Sequence, residues 1–150
     1  KKMYYYGVKL HVVATRRAGQ LPLPEVLLLT PANEFDLTCL RQLDLSVRSG
    51  YLIGDKAYQD AAVQQQLKQS HAVTVLTPVK KRKGQTELGL FEELYSTSMS
   101  QLRQPIESLG NWLGVHTDLQ HASHVRSQKG LLVHVFGRLA LALMLFIFHF

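Results

Sequence analysis

The run Tyr51-Leu52-Ile53-Gly54-Asp55-Lys56-Ala57-Tyr58 constrains this chain more than any other stretch. A short apolar segment stops at a glycine and then delivers an aspartate. Runs of this length bounded by turn residues read as buried strands of a parallel or mixed sheet covered by helices. Asp55 then falls at the strand's carboxyl end, where open α/β sheets leave a ligand-binding crevice between their connecting loops. Gly54 permits close approach, Lys56 offers a phosphate-seeking cation, and Tyr58 adds an aromatic edge. The same aspartate also suits the cap of a helix starting near Gln59, so ligand binding and capping both stand at this point.

The flanking patterns give the strand a context. Tyr4, Tyr6, Val8, Leu10 and Val12 alternate with Tyr5, Gly7, Lys9, His11 and Val13, the period of an extended strand. The polar, glycine-containing turn at residues 16–20 and a second apolar run over residues 21–30 make a hairpin. Pro22 and Pro24 donate no hydrogen bond, which places the second strand at a sheet edge. Asp36 opens a helix that buries Leu37, Leu40 and Leu43 or Leu45 and ends at Ser49-Gly50. After the Asp55 strand come a glutamine-rich helix over residues 59–69 and a short strand over residues 73–76, ended by Pro78. The order strand, strand, helix, strand, helix, strand predicts an α/β fold, a mixed sheet flanked by helices.

Charge narrows the class of partner. Seventeen basic against eleven acidic residues among 150 give a net charge of +6, which favours a polyanion, nucleic acid before membrane. Lys80, Lys81, Arg82 and Lys83 form a compact basic run that reads either as a phosphate clamp or as a solvated loop. The single cysteine, Cys39, lies among leucines and fits a buried apolar role in a reducing cytosol. His116, His121 and His124 lack the cysteine companions and spacing of a zinc site and read as helix-surface residues. Residues 88–99 carry no regular period beyond a short helix around Phe91 to Tyr95.

The stretch Gln101-Leu102-Arg103-Gln104-Pro105-Ile106-Glu107-Ser108 places proline where a helix tolerates it, in the first turn, so a helix is expected to begin near Gln104. Glu107 then lies near the positive end of the helix dipole, and Arg103, four residues earlier, is placed to pair with it or with a phosphate. An ordinary amphipathic helix explains the same residues. Residues 131–150 are the most apolar part of the chain and long enough to cross a bilayer. His134, Arg138 and His149, with Ser127, share one helical face, and an arginine deep in lipid costs about 2.5 kcal/mol or more. A buried globular helix with one polar edge is therefore expected, with no membrane partner.

Taken together, Tyr5-Tyr6-Gly7-Val8-Lys9-Leu10-His11, Gly54-Asp55-Lys56-Ala57-Tyr58, Arg103-Gln104-Pro105-Ile106-Glu107-Ser108 and Val125-Arg126-Ser127 through Gly130-Leu131-Leu132 resemble the DDE transposases of bacterial insertion sequences, the 982 and 4 groups above all. The likeness spans nearly the whole chain in the expected order. It implies an RNase H-like mixed sheet flanked by helices over residues 1–150, with a variable loop or insertion region at residues 78–100. It implies catalytic, metal-binding carboxylates at Asp55 and Glu107, matching the second aspartate and the glutamate of a three-carboxylate set that holds two Mg²⁺ or Mn²⁺ ions. DNA contacts then fall to Lys56, Tyr58, Lys80, Lys81, Arg82, Lys83, Arg103 and Arg126.

Two departures qualify the likeness. The first aspartate has no match: it belongs on a strand before the hairpin, one on which the hairpin and the Asp55 strand would both pair, and the sequence opens at the hairpin itself. Gly110 and Gly114 stand where the family tends to place bulkier residues. The expectation is a carboxyl-terminal piece of the catalytic domain, itself inactive, from a cytoplasmic, nucleoid-associated enzyme that works as a homodimer on element-end and target DNA. An RNase H-like nuclease or resolvase, and a catalytically dead DNA-binding remnant, are the rival readings. The geometry expected of the first reading sets the carboxylates of Asp55 and Glu107 face to face across one crevice.

Overall fold

Alternating side chains and paired prolines decide the first elements of the computed structural model, which describes residues 7–42, 49–122 and 125–148. β1 (Val8–Thr15) and β2 (Leu23–Pro31) pair antiparallel, from Val8 opposite Pro31 to Thr15 opposite Leu23. The register shifts between Val13 and Ala14, and Pro24 stands opposite Ala14. An irregularity there accommodates a residue that cannot donate to the ladder. α1 (Asp36–Gln42) begins at the expected aspartate and buries Cys39 and Leu40. Leu43 and Leu45, the alternative burial sites for its continuation, lie outside the described residues.

β3 (Gly50–Ile53) and β4 (Val73–Leu76) pair in parallel, Gly50 opposite Val73 through Ile53 opposite Leu76. α2 (Ala61–His71) supplies the crossover that a parallel pair requires. It starts two residues after the expected Gln59 because a one-turn 3-10 helix, Lys56–Tyr58, intervenes. Its cap is Asp60, whose Oδ1 accepts from the Val63 amide at 3.0 Å. Val63 and Leu67, one turn apart, bury against Val73 and Val75 of β4 and against Cys39 and Leu40 of α1. Val13, Val26, Leu28, Leu52 and Tyr58 pack on that cluster, so hairpin and parallel pair share one core.

The expectation of one mixed sheet is met in a divided form. Among the described residues the strands make two sheets of two strands each, one antiparallel and one parallel, and β1 does not pair with β3. This mixed α/β arrangement is compatible with a partial RNase H-like fold.

The next helix departs further from expectation. α3 (Leu90–Thr117) is continuous over 28 residues and carries Pro105 in its interior, instead of starting near Gln104. Glu92 closes its first turn, its Oε2 accepting from the Gly89 amide at 3.1 Å. The serine-rich early turns concealed the helix in the sequence, since such residues compete with the helical backbone. Here Ser98 and Ser100 return their hydroxyls to the carbonyls of Leu94 and Ser96, each at 2.9 Å. Pro105 removes one backbone donor, and the remaining turns propagate on both sides of it. The variable stretch at residues 78–100 is thus a loop followed by the first turns of α3.

The chain divides into two compact units. Lys1–Thr15 and Leu23–Gln104 form one, and Arg16–Pro22 and Pro105–Phe150 the other. In the second unit α4 (Gln128–Phe148) buries Val135, Leu139 and Ala142. Trp112 meets the Phe146 ring edge-on at 5.7 Å and stacks on His116 at 4.7 Å. The Arg17 guanidinium covers the same Phe146 ring at 4.9 Å.

α4 corrects the expectation of a buried helix with a polar edge. Only 17% of its most apolar window is buried, and by length and composition the helix is able to cross a membrane. Val133, Phe136, Met144 and Ile147 are exposed, because three buried residues at one-turn spacing cover a stripe too narrow for a helix that is apolar all round. His134 retains a buried Nε2 with no hydrogen-bond partner among the described residues, and His149 lies outside them.

Gly110 and Gly114 lie inside α3, and a Cβ on either meets nothing within 4 Å. Gly110→Ala and Gly114→Ala should each raise stability by about 0.5–1 kcal/mol, through a lower unfolded-state entropy. Urea unfolding of the single and double variants checks both the sign and the additivity.

Candidate active site

Asp55 is presented by the carboxyl end of β3. The parallel ladder continues one residue past the strand, where the Gly54 amide donates to the Leu76 carbonyl at 2.9 Å. A Cβ at Gly54 would stand 3.2 Å from Cδ2 of Tyr58, so glycine there lets the Tyr58 ring fold back against the strand end. Asp55 then turns the chain into the Lys56–Tyr58 turn as its cap, Oδ1 accepting from the Lys56 amide at 2.6 Å. Capping, one of the two roles open to Asp55 in the sequence, is therefore real, but of this single turn; α2 has Asp60.

The second partner of Asp55 comes from 48 residues away. Arg103 Nη1 donates to the same Oδ1 at 3.2 Å, with the Arg103 side chain 21% and the Asp55 side chain 53% exposed. α3 can reach the strand end because its early turns dock within the first unit. Ser96 Oγ accepts from the Val79 amide at 3.0 Å, and Met99 is buried. Ser96, Met99 and Arg103 follow at helical spacings of three and four, so one face of α3 carries all of them. The sequence offered no signal for the Asp55–Arg103 pair, since spacing along a chain reports neighbours within one element only.

The other candidate residues belong to several elements. Glu107 stands one turn beyond Arg103 on α3, exposed, in the second unit. Lys56 is exposed beside Asp55. Tyr58 turns its ring inward onto the core, and burial, then the charges of Asp36, Cys39 and Asp55, push its hydroxyl pKa up. Burial likewise raises the Cys39 thiol, aided by Asp36 and Glu34, so the cysteine is a protonated core residue. Lys80, Lys81, Arg82 and Lys83 are all exposed on a loop shaped by a turn in which Gly84 adopts a φ of 86°. The Gln85 amide closes that turn on the Arg82 carbonyl at 3.0 Å, while Lys81 Nζ returns to the Thr86 carbonyl at 2.7 Å. Arg126 is exposed in the segment before α4.

The family model described as Transposase DDE domain matches residues 1–128. The chain belongs to the DDE transposase family. No curated protein and no solved structure matches it. Membership places this DDE domain in DNA transposition, with DNA as its partner.

DDE transposase domains generally use divalent metals. Asp55 and Glu107 supply hard oxygen donors of the kind Mg²⁺ and Mn²⁺ prefer. Among the described residues, however, no group of three or more His, Cys, Asp or Glu side chains is assembled. Asp55 is engaged by a guanidinium, and Asp36 and Asp60 are committed to Lys9 and Arg41 at 3.3 and 3.6 Å. The described residues therefore do not by themselves assemble a two-ion site.

The partial exposure of both Asp55 and Arg103 limits the strength of their pair. A double-mutant cycle with Asp55→Asn and Arg103→Gln should give a coupling of about 0.2–1 kcal/mol, shrinking in high salt. A coupling of several kcal/mol would show a desolvated pair instead.

Proposed function

We propose that this chain is part of the catalytic domain of an insertion-sequence transposase, and that by itself it binds DNA without cutting or joining it. The intact enzyme would break a phosphodiester at each element end by in-line attack of water. The freed 3′ hydroxyl would then attack target DNA. The observation that carries the reading is the family match combined with Asp55 at the carboxyl end of β3, held by Arg103 of α3. Asp55 and Glu107 would serve as two of three carboxylates for a pair of Mg²⁺ or Mn²⁺ ions in the complete domain. We further propose that the intact transposase is a homodimer in the bacterial cytoplasm, nucleoid-associated when bound to DNA.

Inactivity of the chain follows from charge. In-line displacement at phosphorus develops negative charge on the attacking and leaving oxygens, and two ions neutralise both only when a full carboxylate set holds them. With one carboxylate missing, the barrier rises by several kcal/mol, about 1.4 per factor of ten in rate. What remains is phosphate binding by Lys56, Arg103, Arg126 and the basic loop, which positions DNA without reading its sequence. A DNA-binding remnant is the second reading, and the lack of a gathered group of three metal-ligating side chains among the described residues favours it over an RNase H-like nuclease or resolvase.

Two measurements test the proposal. The purified chain, incubated with Mg²⁺ or Mn²⁺ and element-end DNA, should release no nicked or joined product; cleavage that disappears in Asp55→Ala would overturn the inactivity and keep the assignment of Asp55. Binding should be steeply salt-dependent. Replacing Lys80, Lys81, Arg82 and Lys83 by glutamine should weaken unrelated sequences about equally and flatten the salt slope by about 3 units. That is roughly 0.9 for each phosphate no longer neutralised, with Lys81 already occupied by Thr86. An unchanged slope would reduce the run to a solvated turn.

A further inference from the structure

One carboxylate oxygen of Asp55 carries two donors that differ in how firmly they are fixed. The Lys56 amide reaches Oδ1 at 2.6 Å from within the same turn, so that contact lasts as long as the turn does. Arg103 Nη1 reaches the same oxygen from α3 at 3.2 Å. That is longer than the roughly 2.7–2.9 Å typical of a charge-assisted N–H···O bond. The backbone on both sides of this longer contact is anchored. The Gly54 amide ties the end of β3 to Leu76, while Ser96 and the buried Met99 dock α3 two turns and one turn before Arg103. The part left to move is the Arg103 side chain, whose tip meets a carboxylate that is 53% exposed. An anion arriving from solvent therefore encounters Asp55 and Arg103 together, with the exposed Lys56 next in the chain.

We propose that Asp55 and a DNA phosphate compete for the Arg103 guanidinium: Asp55 holds the arginine in the DNA-free chain and yields it to the DNA backbone on binding. The inference rests on the reading of Arg103 as a phosphate contact, and adds that this contact is withheld until the ion pair opens. A guanidinium matches carboxylate and phosphate geometry alike, so either anion satisfies it. The exchange runs toward phosphate for two reasons. A half-exposed ion pair is weak, because water screens it and two side chains must be held in one geometry. A duplex phosphate arrives with condensed counterions that are released as protein cations neutralise it, a gain that the Asp55 pair lacks. Asp55 does not follow the arginine, since the Lys56 amide keeps its carboxylate at the end of β3. DNA binding thus leaves Asp55 in place with one donor fewer, and by reciprocity Asp55 lowers the affinity for DNA through Arg103.

The test measures the affinity of the whole chain for a short fluorescent duplex of arbitrary sequence in about 0.15 M salt, where exposed charges are screened beyond about 8 Å. The unsubstituted chain is compared with Asp55→Asn, Arg103→Gln and the double variant. Asparagine keeps an oxygen for the Lys56 amide and loses the charge that holds Arg103. Asp55→Asn should tighten binding at least about twofold more where Arg103 is present than where it is glutamine. Equal tightening in both backgrounds would make Asp55 a source of plain repulsion and overturn the exchange, as would no tightening at all. A second readout uses the unsubstituted chain: the side-chain carboxyl ¹³C signal of Asp55, identified by its loss in Asp55→Asn, should shift when the chain is saturated with duplex. A signal that stays in place would also overturn the exchange. Absence of binding by the unsubstituted chain would defeat the DNA-binding reading itself, whereas binding with equal effects in both backgrounds defeats the exchange alone.

Discussion

The parallel pairing of β3 with β4 is the interaction on which the rest of the first unit depends. A parallel pair needs a crossover, and here α2 provides it in one short helix bounded by an Asp60 cap and a left-handed Ala72. The crossover in turn creates the core. Val63 and Leu67 descend from α2 onto Val73 and Val75, and α1 closes the cluster with Cys39 and Leu40. Each fully buried aliphatic side chain contributes about 1.5–3 kcal/mol. Those contributions hold in place a strand only four residues long, and through the Gly54–Leu76 hydrogen bond they fix the direction in which Asp55 leaves it.

Once Asp55 is aimed, its chemistry is decided by what reaches it. The Lys56 amide and the Arg103 guanidinium share one carboxylate oxygen. Both occupy a position that a metal cation would otherwise take. A site of this kind suits phosphate chemistry, since the same arginine that neutralises Asp55 is built to grip a phosphate. Family membership and this constellation are consistent with each other, and among the described residues no group of three or more candidate metal ligands is gathered.

The two units are held together internally by different means. The first relies on buried aliphatic residues between strands and helices. The second relies on a narrow stripe of Leu109, Leu113, Val135, Leu139 and Ala142 and on an aromatic ladder running from His116 through Trp112 to Phe146, capped by Arg17. Aromatic and cation–π contacts of this type contribute about 0.5–1.5 kcal/mol each beyond the area they bury. They leave most of the apolar surface of α4 uncovered.

The sequence by itself determined the elements whose signals are local. Alternation marked β1, proline and apolar runs marked β2, Asp36 marked the start of α1, and the run ending at Gly54 marked β3 and placed Asp55 at its carboxyl end. Motif order over nearly the whole chain was enough to indicate the DDE family. Three features were legible only in the tertiary structure. α3 runs through Pro105 and through a serine-rich stretch, because hydroxyls that compete with a helix in solution can bond back to its carbonyls once the helix is docked. Among the described residues the mixed α/β arrangement is divided into two small sheets, because sheet membership depends on which edges meet and not on how strongly any strand is encoded. Arg103 pairs with Asp55 across 48 residues, a pairing with no periodicity behind it, since it exists only after the parallel pair has aimed one residue and the α3 helix has carried the other to it.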